Sequence, residues 1–280
     1  MTVFITGATG YIGVAVARAF LGIGDRVLGL TRGSRKAEQL ASEGIEPIVG
    51  SLTDSAVLEE GAGRSEVVIH TAVDYGADTR ALDAAAVAAI LKGLGPKGGL
   101  LYTSGTWVFG DTGEGIADED TPRIPIAEVH WRPAVEDHVM AHGGMVIRPG
   151  VVYGGQGGMT ATWLEAIEAG RPVEVVGDGT NIWPMVHLDD LAHAYVAAAA
   201  HGRRGRSYNI VDDSRDTWLT LLDRAEEIAG REATVRHLDR ETAEAQLGVM
   251  AEAVSISQQI SNTRAKRELG WYPEHRGLGR

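Results

Sequence analysis

The chain has no cysteine among its 280 residues. This absence excludes disulfides, thiol nucleophiles and thiolate-bound metals. Long apolar runs are missing too, since no window reaches the roughly 18 apolar residues of a membrane span. The first residues after Met1 form a strand-like apolar segment and do not resemble a signal peptide. We therefore expect a cytoplasmic protein that does not bind membranes.

Positive charge is in deficit, with 26 Lys and Arg against 38 Asp and Glu and a net charge of −12. Such a chain repels the phosphate backbone of nucleic acids, so we expect no nucleic-acid partner. The hydrophobic fraction of 44% and the charged fraction of 23% are ordinary for a folded protein. The length is sufficient for a large buried core.

Short apolar segments alternate with longer amphipathic ones, which predicts an α/β fold with a doubly wound parallel sheet. We expect a nucleotide-binding domain over 1–150 and a smaller α/β substrate lobe over 151–280. The two are interleaved, because a strand and a helix near 186–211 are expected to return to the sheet. The predicted strands of the first domain are 2–6, 26–31, 46–49, 66–71, 98–103 and 144–148, and its predicted helices are 11–22, 34–43, 54–61, 79–94 and 131–142.

A glycine-rich turn, Thr6-Gly7-Ala8-Thr9-Gly10-Tyr11-Ile12-Gly13, lies between the first predicted strand and the first predicted helix. Glycines at this spacing allow a tight turn and let the backbone approach a diphosphate, which the helix N-terminus stabilises with its N–H groups. The pattern predicts a dinucleotide site. The alternative interpretation is an ordinary turn into a helix.

The second predicted strand ends near Arg32, where a dinucleotide fold places the residue that contacts the adenosine ribose. No carboxylate is present there, whereas Arg35 and Lys36 follow closely. A guanidinium suits a 2′-phosphate, so we expect NADP(H) in preference to NAD(H). A solvated basic start of the next helix is the alternative.

With these motifs the chain resembles the extended short-chain dehydrogenase/reductases, which include epimerases and dehydratases and have the Rossmann fold. The resemblance also rests on segments at 50–54, 70–72, 102–110, 148–154, 186–192 and 262–273. It implies that the cofactor contacts Gly7, Thr9, Gly10, Tyr11, Ile12, Gly13, Arg32, Ser51, Leu52, Thr71, Ala72, Thr103, Arg132, Pro149 and Val151.

The usual catalytic pair of that family, a Tyr and a Lys four residues later, has no match on the helix after the fifth strand. Aligned with the family, Glu128 takes the Tyr position and Arg132 the Lys position. The family serine aligns with Gly105, so the hydroxyls of Ser104 and Thr106 are candidate donors to a substrate carbonyl. Glu128 and His130 are candidate proton carriers, with ordinary structural roles as the alternative.

The expected substrate pocket also departs from the family pattern. Val151 stands where sugar-processing members carry Asn, and Trp183 stands where they carry the Arg that binds the substrate diphosphate. This disfavours a nucleotide sugar and favours an apolar small molecule with a carbonyl or an activated double bond. The candidate substrate residues, for each of which core packing is the alternative, are Val73, Tyr75, Trp107, Tyr153, Trp183 and Met185.

Three functions compete at this point: an atypical NADP(H)-dependent oxidoreductase, a non-catalytic NADP(H)-binding sensor, and a redox-neutral epimerase, dehydratase or isomerase. His187 with Asp189 and Asp190 suggests a metal site, but the family pattern implies an acidic cap at the helix N-terminus and a buried His, so we expect no metal. Relatives often pair through the helices expected at 79–94 and 131–142, which makes a homodimer possible.

Overall fold

The computed structural model describes residues 1–74, 78–96, 98–155 and 157–279. Its strands are short, mostly buried and rich in β-branched residues. They are β1 Thr2–Thr6, β2 Arg26–Thr31, β3 Glu46–Val49, β4 Val67–His70, β5 Gly99–Thr103, β6 Ile116–Ala117, β7 Met145–Pro149, β8 Val151–Tyr153, β9 Val173–Val176, β10 Met185–His187, β11 Ser207–Ile210, β12 Val235–Leu238 and β13 Gln259–Ile260.

The helices between these strands bury one apolar stripe each. They are α1 Tyr11–Gly22, α2 Ser34–Ser42, α3 Ser55–Gly63, α4 Thr79–Leu94, α5 Arg132–Ala141, α6 Met159–Glu168, α7 Leu188–His201, α8 Trp218–Ala229, α9 Arg240–Leu247, α10 Met250–Ser255 and α11 Thr263–Leu269. Single turns of 3₁₀-helix lie at Thr106–Phe109 and Ala127–Val129.

A parallel sheet of seven strands runs in the order β11-β7-β5-β4-β1-β2-β3. The chain therefore starts in the middle of the sheet, builds outward to β3, and then returns to build the other half. In such a sheet the loops on the two sides of the reversal point diverge and leave a crevice at the carboxyl ends of the strands. Here that point lies between β1 and β4.

Both faces of the sheet are covered by helices. On one face α1, α7 and α11 pack against side chains such as Val3, Ile5 and Ile147, and Phe20 of α1 is fully buried there. On the other face α3, α4 and α5 enclose Phe4, Leu28 and their neighbours. Burial on both faces explains why these strands are continuous apolar runs without alternation.

The second half of the chain adds three two-stranded sheets, β10 with β8, β12 with β9, and β13 with β6. An aromatic cluster joins α6 and α8 to these strands, with the Trp163 ring 4.6 Å from Trp218 and 5.4 Å from Trp183. Strand β11 returns to the edge of the large sheet beside β7, as the sequence predicts. Strand β10 pairs with β8 and not with the large sheet.

The predicted α/β class with a doubly wound parallel sheet is confirmed. The expected helices at 11–22 and 79–94 have those bounds. The outward side of α4 carries small exposed side chains at Ala81, Ala84 and Ala88, and the homodimer through this helix stays a prediction. Within the described ranges no helix is long and apolar enough to cross a membrane.

Candidate functional site

The turn between β1 and α1 tolerates only glycine at two positions. Gly7 has φ +76°, and a Cβ added there would lie 2.7 Å from Thr71 Oγ1 and 2.9 Å from the amide nitrogen of Ala72. A Cβ on Gly13 would overlap the carbonyl oxygen of Gly7. Any side chain at these positions would force the end of β4 and the start of α1 away from the turn.

The first turn of α1 presents unpaired backbone donors. Its cap residue, Gly10, supplies no side-chain hydrogen bond, and the first intrahelical bond runs from the Val14 N–H to Gly10 O. The N–H groups of residues 11–13 therefore have no helical partner, and the helix dipole adds positive potential. They line a cleft of about 740 Å³, the glycine-loop cleft, between the ends of β1, β2 and β4.

The far end of the glycine-loop cleft is basic and hydroxylic. Arg32 and Lys36 line it beside Ser51 and Thr53, and both cations are exposed. Among the residues that the structure describes, neither cation has an ion-pair partner. The Ser51 N–H and Oγ both donate to Asp54, which fixes the loop after β3. This end of the cleft is suited to a phosphate on the adenosine ribose.

A second cavity of about 290 Å³, the strand-end cavity, adjoins the cleft and lies above the ends of β5 and β7. Its polar groups include Thr103, Ser104, Thr106 and Arg132. Ser104 is 7% exposed, and its Oγ has no hydrogen-bond partner in the described part of the chain. Most of the remaining wall is backbone and apolar side chains, with Val73, Trp107, Val129, Val151 and Met159 among them.

The predicted cofactor residues are brought together by the fold. Each of the fifteen lines either the glycine-loop cleft or the strand-end cavity. Ile12, Thr71 and Ala72 line both, so the two spaces are continuous along the ends of β1 and β4. Such an elongated site matches the shape of a dinucleotide whose two halves lie on either side of the reversal point.

Arg132 is held at the wall of the strand-end cavity by a buried polar network. Its Nη1 donates to Thr103 O at 2.8 Å and lies 3.5 Å from the Tyr102 hydroxyl. The Tyr102 hydroxyl donates to Asp83 Oδ2, and His70 Nε2 lies 3.1 Å from Asp83 Oδ1. Burial is the first cause that raises the pKa of Tyr102 well above its ordinary value, which keeps this hydroxyl protonated.

The network continues from His70 Nδ1 to Thr6 Oγ1, at 2.7 Å, and so reaches the glycine-rich turn. Sequence reasoning missed Asp83 and Tyr102. One signal was available, because Asp83 is the single carboxylate in the otherwise apolar stretch 81–91. A buried carboxyl group in such a helix needs hydrogen-bond partners, and here Asp83 orients groups beneath both cavities.

The two candidate proton carriers lie apart from the strand-end cavity. Glu128 is half-buried and His130 is exposed, and neither is among its lining residues. The imidazole Nδ1 of His130 is hydrogen-bonded to the carbonyl oxygen of Ala127 at 2.7 Å. Between them, Val129 faces the cavity. The 3₁₀ turn ahead of α5 places 128–130 differently from the α-helix that the family alignment implies.

The candidate substrate residues divide into two groups. Val73 and Trp107 line the strand-end cavity. Tyr153 and Met185 are buried in the aromatic core of the second half, and Trp183 lies at its border. Burial raises the pKa of Tyr153, which therefore stays a phenol. Tyr75 lies outside the described residues.

Tyr11 is the one tyrosine among the described lining residues of the strand-end cavity. Its hydroxyl donates to Gly154 O at 2.6 Å. Burial, with a smaller effect of the Asp189 carboxylate, raises its pKa to about 12. A phenol with this pKa is a poor proton donor near neutral pH, so Tyr11 serves to hold the loop after β8 against the glycine-rich turn.

The group at His187, Asp189 and Asp190 has a structural role. The imidazole of His187 caps α7 by accepting the Asp189 N–H, so the cap is the imidazole and not a carboxylate. The buried Asp190 accepts the N–H groups of Glu274 and His275 and so anchors the C-terminal segment. Within the described residues no cluster of three ligand side chains is placed to hold a metal.

These features define a nucleotide-binding protein of the Rossmann class. Residues 3–211 match the model of the NAD dependent epimerase/dehydratase family, and the chain belongs to that family. An uncharacterized protein of Schizosaccharomyces pombe is 30% identical over 291 residues, covering 99% of this chain and 97% of the relative. A 3-diazoavenalumate denitrifying reductase from a Streptomyces species is 27% identical over 310 residues, covering 100% of both chains.

The fold has a solved counterpart in dTDP-glucose 4,6-dehydratase from Bacillus anthracis, determined in complex with NAD. The TM-score is 0.84 at 17% identity, and the match covers 98% of this chain and 92% of the dehydratase. At this identity the similarity establishes the architecture, while the chemistry has to be argued from the residues of the site.

Proposed function

We propose that the protein is an NADP(H)-dependent oxidoreductase that acts on an apolar small molecule bearing a carbonyl or an activated double bond. One observation carries the proposal: Ser104, whose buried hydroxyl has no partner among the described residues, lines a largely apolar cavity that is continuous with the glycine-loop cleft. A buried hydroxyl without a partner is costly, and a substrate carbonyl would supply the missing acceptor.

The residues present fit a nicotinamide dinucleotide. The glycine-rich turn leaves no room for a Cβ at Gly7 or Gly13. The start of α1, which has no side-chain cap, offers its N–H groups to a diphosphate. Arg32 and Lys36 fit the 2′-phosphate of NADP(H). The nicotinamide half would occupy the space between Ile12 and Pro149, beside Arg132. When bound, the cofactor supplies or accepts a hydride.

The protein's own residues position and polarise the substrate. Ser104 donates to the substrate oxygen and so stabilises the negative charge that develops there, while the fixed cation of Arg132 adds favourable potential. Trp107 and Val129 exclude water from the apolar side of the substrate. Because no titratable carboxylate or imidazole is among the described lining residues, the proton reaches the product oxygen from solvent.

The cofactor assignment is tested by titrating the protein with NADPH and NADH and following nicotinamide fluorescence. We expect Arg32→Ala to weaken NADPH binding about 10-fold, because a charge-assisted contact is lost, and to change NADH binding less than about 3-fold. Arg35→Ala is the matched control, since Arg35 is an exposed cation three residues further along, in the first turn of α2, and does not line the cleft. Equal losses in both variants would contradict a specific phosphate contact.

A second candidate, a cofactor-binding sensor without turnover, is favoured by the positions of Glu128 and His130 outside the cavity. It predicts the same nucleotide binding but no consumption of NADPH with any substrate. The reductase relative from Streptomyces supports the enzymatic alternative at the level of the family.

A further inference from the structure

Behind the strand-end cavity lies a narrow crevice, which we define by its lining residues Trp107, Val151, Met159, Trp183, Pro184, Ala253, Ile256 and Gln258. The first three of these residues also line the strand-end cavity, so the crevice continues it toward the second half of the chain. Its walls are apolar and aromatic. Two of its members nevertheless carry polar groups, Trp183 and Gln258.

Both polar groups are buried and lack a partner. Trp183 is 3% exposed and Gln258 is 1% exposed. In the described part of the chain, the indole Nε1 of Trp183 has no acceptor and the amide Oε1 of Gln258 has no donor. Native interiors contain few such atoms, and each normally has an explanation.

The orientation of the Gln258 amide is set by its own hydrogen bonds. Its Nε2 donates to Thr106 O and to Gly110 O, each at 2.8 Å. Two carbonyl acceptors require the NH₂ group on that side, so the amide cannot be turned to hide its oxygen. The Gln258 Oε1 atom is therefore fixed as a hydrogen-bond acceptor, and no described residue donates to it. The loop that Gln258 anchors in this way, residues 106–110, also carries Trp107.

We propose that the crevice is a subsite that recognises a hydroxyl group at the end of the substrate remote from the reacting carbon. A hydroxyl both accepts and donates, so it matches the N–H donor of Trp183 and the carbonyl acceptor of Gln258. The apolar walls select a flat hydrocarbon or aromatic body between the two ends. This inference rests on the proposed function, because it assigns the reacting end to Ser104.

The substrate class is therefore a hydroxylated aromatic or alicyclic carbonyl compound. In this conformation the crevice is too narrow to admit a free water molecule, so the substrate opens it by parting the side chains that line both cavities. A substrate without the hydroxyl would leave both buried atoms unpaired. Sites built to hydrogen-bond a hydroxyl discriminate strongly against analogues that lack it.

The test uses pairs of ketones that differ in one hydroxyl: 4-hydroxyacetophenone and acetophenone, 4-hydroxybenzylideneacetone and benzylideneacetone, and 6-hydroxy-2-acetylnaphthalene and 2-acetylnaphthalene. Each is titrated calorimetrically into the protein saturated with NADP⁺, which cannot oxidise a ketone, so binding is measured without turnover. We expect the hydroxylated member of at least one pair to bind about 10-fold more tightly. Equal dissociation constants within all three pairs would overturn the subsite.

The variant Trp183→Phe removes the N–H donor and keeps an aromatic ring. We expect it to reduce the preference for the hydroxyl to below about 3-fold. Trp163→Phe is the matched control, because Trp163 belongs to the same aromatic cluster, is also buried and does not line the crevice. A preference that survives in Trp183→Phe, or that is lost equally in both variants, would contradict the role of Trp183.

Failure of the subsite is distinguishable from failure of the proposed function. Selective binding of the hydroxylated ketones without NADPH consumption would support the subsite and contradict the oxidoreductase. NADPH consumption with each ketone, at dissociation constants that are equal within each pair, would support the oxidoreductase and overturn the subsite.

Discussion

Among single residues, Ser104 and Thr106 were equivalent candidates on sequence grounds, because both flank Gly105 after the fifth strand. The structure separates them. The Ser104 hydroxyl is enclosed and has no partner in the described part of the chain, whereas the Thr106 hydroxyl is not among the fully enclosed atoms without a partner. An enclosed hydroxyl cannot satisfy its hydrogen bond with water, so it gains more from a substrate oxygen than a hydroxyl that solvent reaches.

We expect Ser104→Ala to lower kcat/KM about 100-fold, which is typical of removing one donor to a developing oxyanion. Binding of NADPH should change little, since Ser104 does not line the glycine-loop cleft. Thr106→Val, which removes a hydroxyl of similar position and nearly keeps the volume, should cost less than about 5-fold. Steady-state kinetics with NADPH and nucleotide titration measure both effects. A larger loss in Thr106→Val than in Ser104→Ala would reverse the assignment.

A second residue-scale prediction concerns Asp212, a buried carboxyl that accepts hydrogen bonds from Ser214 and from the Gly277 N–H. Burial is the main cause that raises its pKa to about 6. The folded state therefore holds this proton more tightly than the unfolded state, where the pKa is about 3.9. The contribution of Asp212 to stability is greatest at low pH and falls as the pH rises from about 4 through 6.

The change from about pH 5 to pH 7.5 removes roughly 1.5 kcal/mol of this contribution. We expect the difference in unfolding free energy between wild type and Asp212→Asn to shrink by that amount over the interval, because the amide does not titrate. Urea denaturation of both proteins at the two pH values gives the difference. A constant difference, or one that grows with pH, would show that Asp212 is ionised in the folded protein throughout.

At the scale of elements, the unit that carries nucleotide binding is the β1-turn-α1 segment. The close approach of Gly13 to Gly7 O makes the turn intolerant of a side chain, whereas Gly22 at the end of the same helix has nothing within 4 Å of an added Cβ. The two glycines are chemically identical and differ only in surroundings, which makes them a matched pair.

We expect Gly13→Ala to abolish measurable NADPH binding and to destabilise the protein by about 2 kcal/mol, since the helix start must shift. Gly22→Ala should leave nucleotide binding unchanged and stabilise the helix by up to about 1 kcal/mol, because alanine restricts the unfolded chain. Thermal unfolding and fluorescence titration measure the two properties. Intact NADPH binding in Gly13→Ala would mean that the turn is not the diphosphate site.

Regular elements were predictable because each carries a local signal. The helix α1 follows a glycine-rich turn, and α4 has good helix formers with a stop at Gly95. The short strands β6 and β13 have two residues each, so their pairing depends on tertiary contacts that no local pattern encodes. The burial of Tyr153 and Met185 could not be predicted either, because the same residue types occur in a protein core and in an apolar pocket.

The features of the site likewise divide into those that a local sequence signal predicts and those that depend on tertiary packing. Glycine spacing and the strand ends predicted that the proposed dinucleotide residues come together, since parallel strands bring their carboxyl ends to one edge. The buried atoms of Ser104, Trp183 and Gln258 that have no partner in the described part of the chain were not predictable, because a missing hydrogen bond is a property of the packed molecule. The exclusion of His130 from the cavity follows from one 3₁₀ turn, a local deviation that the helical alignment did not contain.

In the molecule as a whole, three spaces form one path: the glycine-loop cleft for the dinucleotide, the strand-end cavity for the reacting carbon, and the crevice for the remote end of the substrate. The first two lie at the reversal point of the sheet. The crevice reaches into the second half of the chain, where residues such as Trp183 and Gln258 set selectivity. The residues at the cofactor end thus match the family pattern, whereas those at the substrate end depart from it.

The proposed reaction is the transfer of a hydride between the nicotinamide and an apolar carbonyl compound, both bound along this path. The most direct measurement incubates the protein with NADPH deuterated at C4, in separate samples for the two faces of the ring, and with 4-hydroxybenzylideneacetone, followed by mass spectrometry of the product. We expect a product heavier by one deuterium from one face only, with the transfer strongly reduced in Ser104→Ala. Tight NADPH binding without deuterium in any product from either face would contradict it and would favour the cofactor-binding sensor.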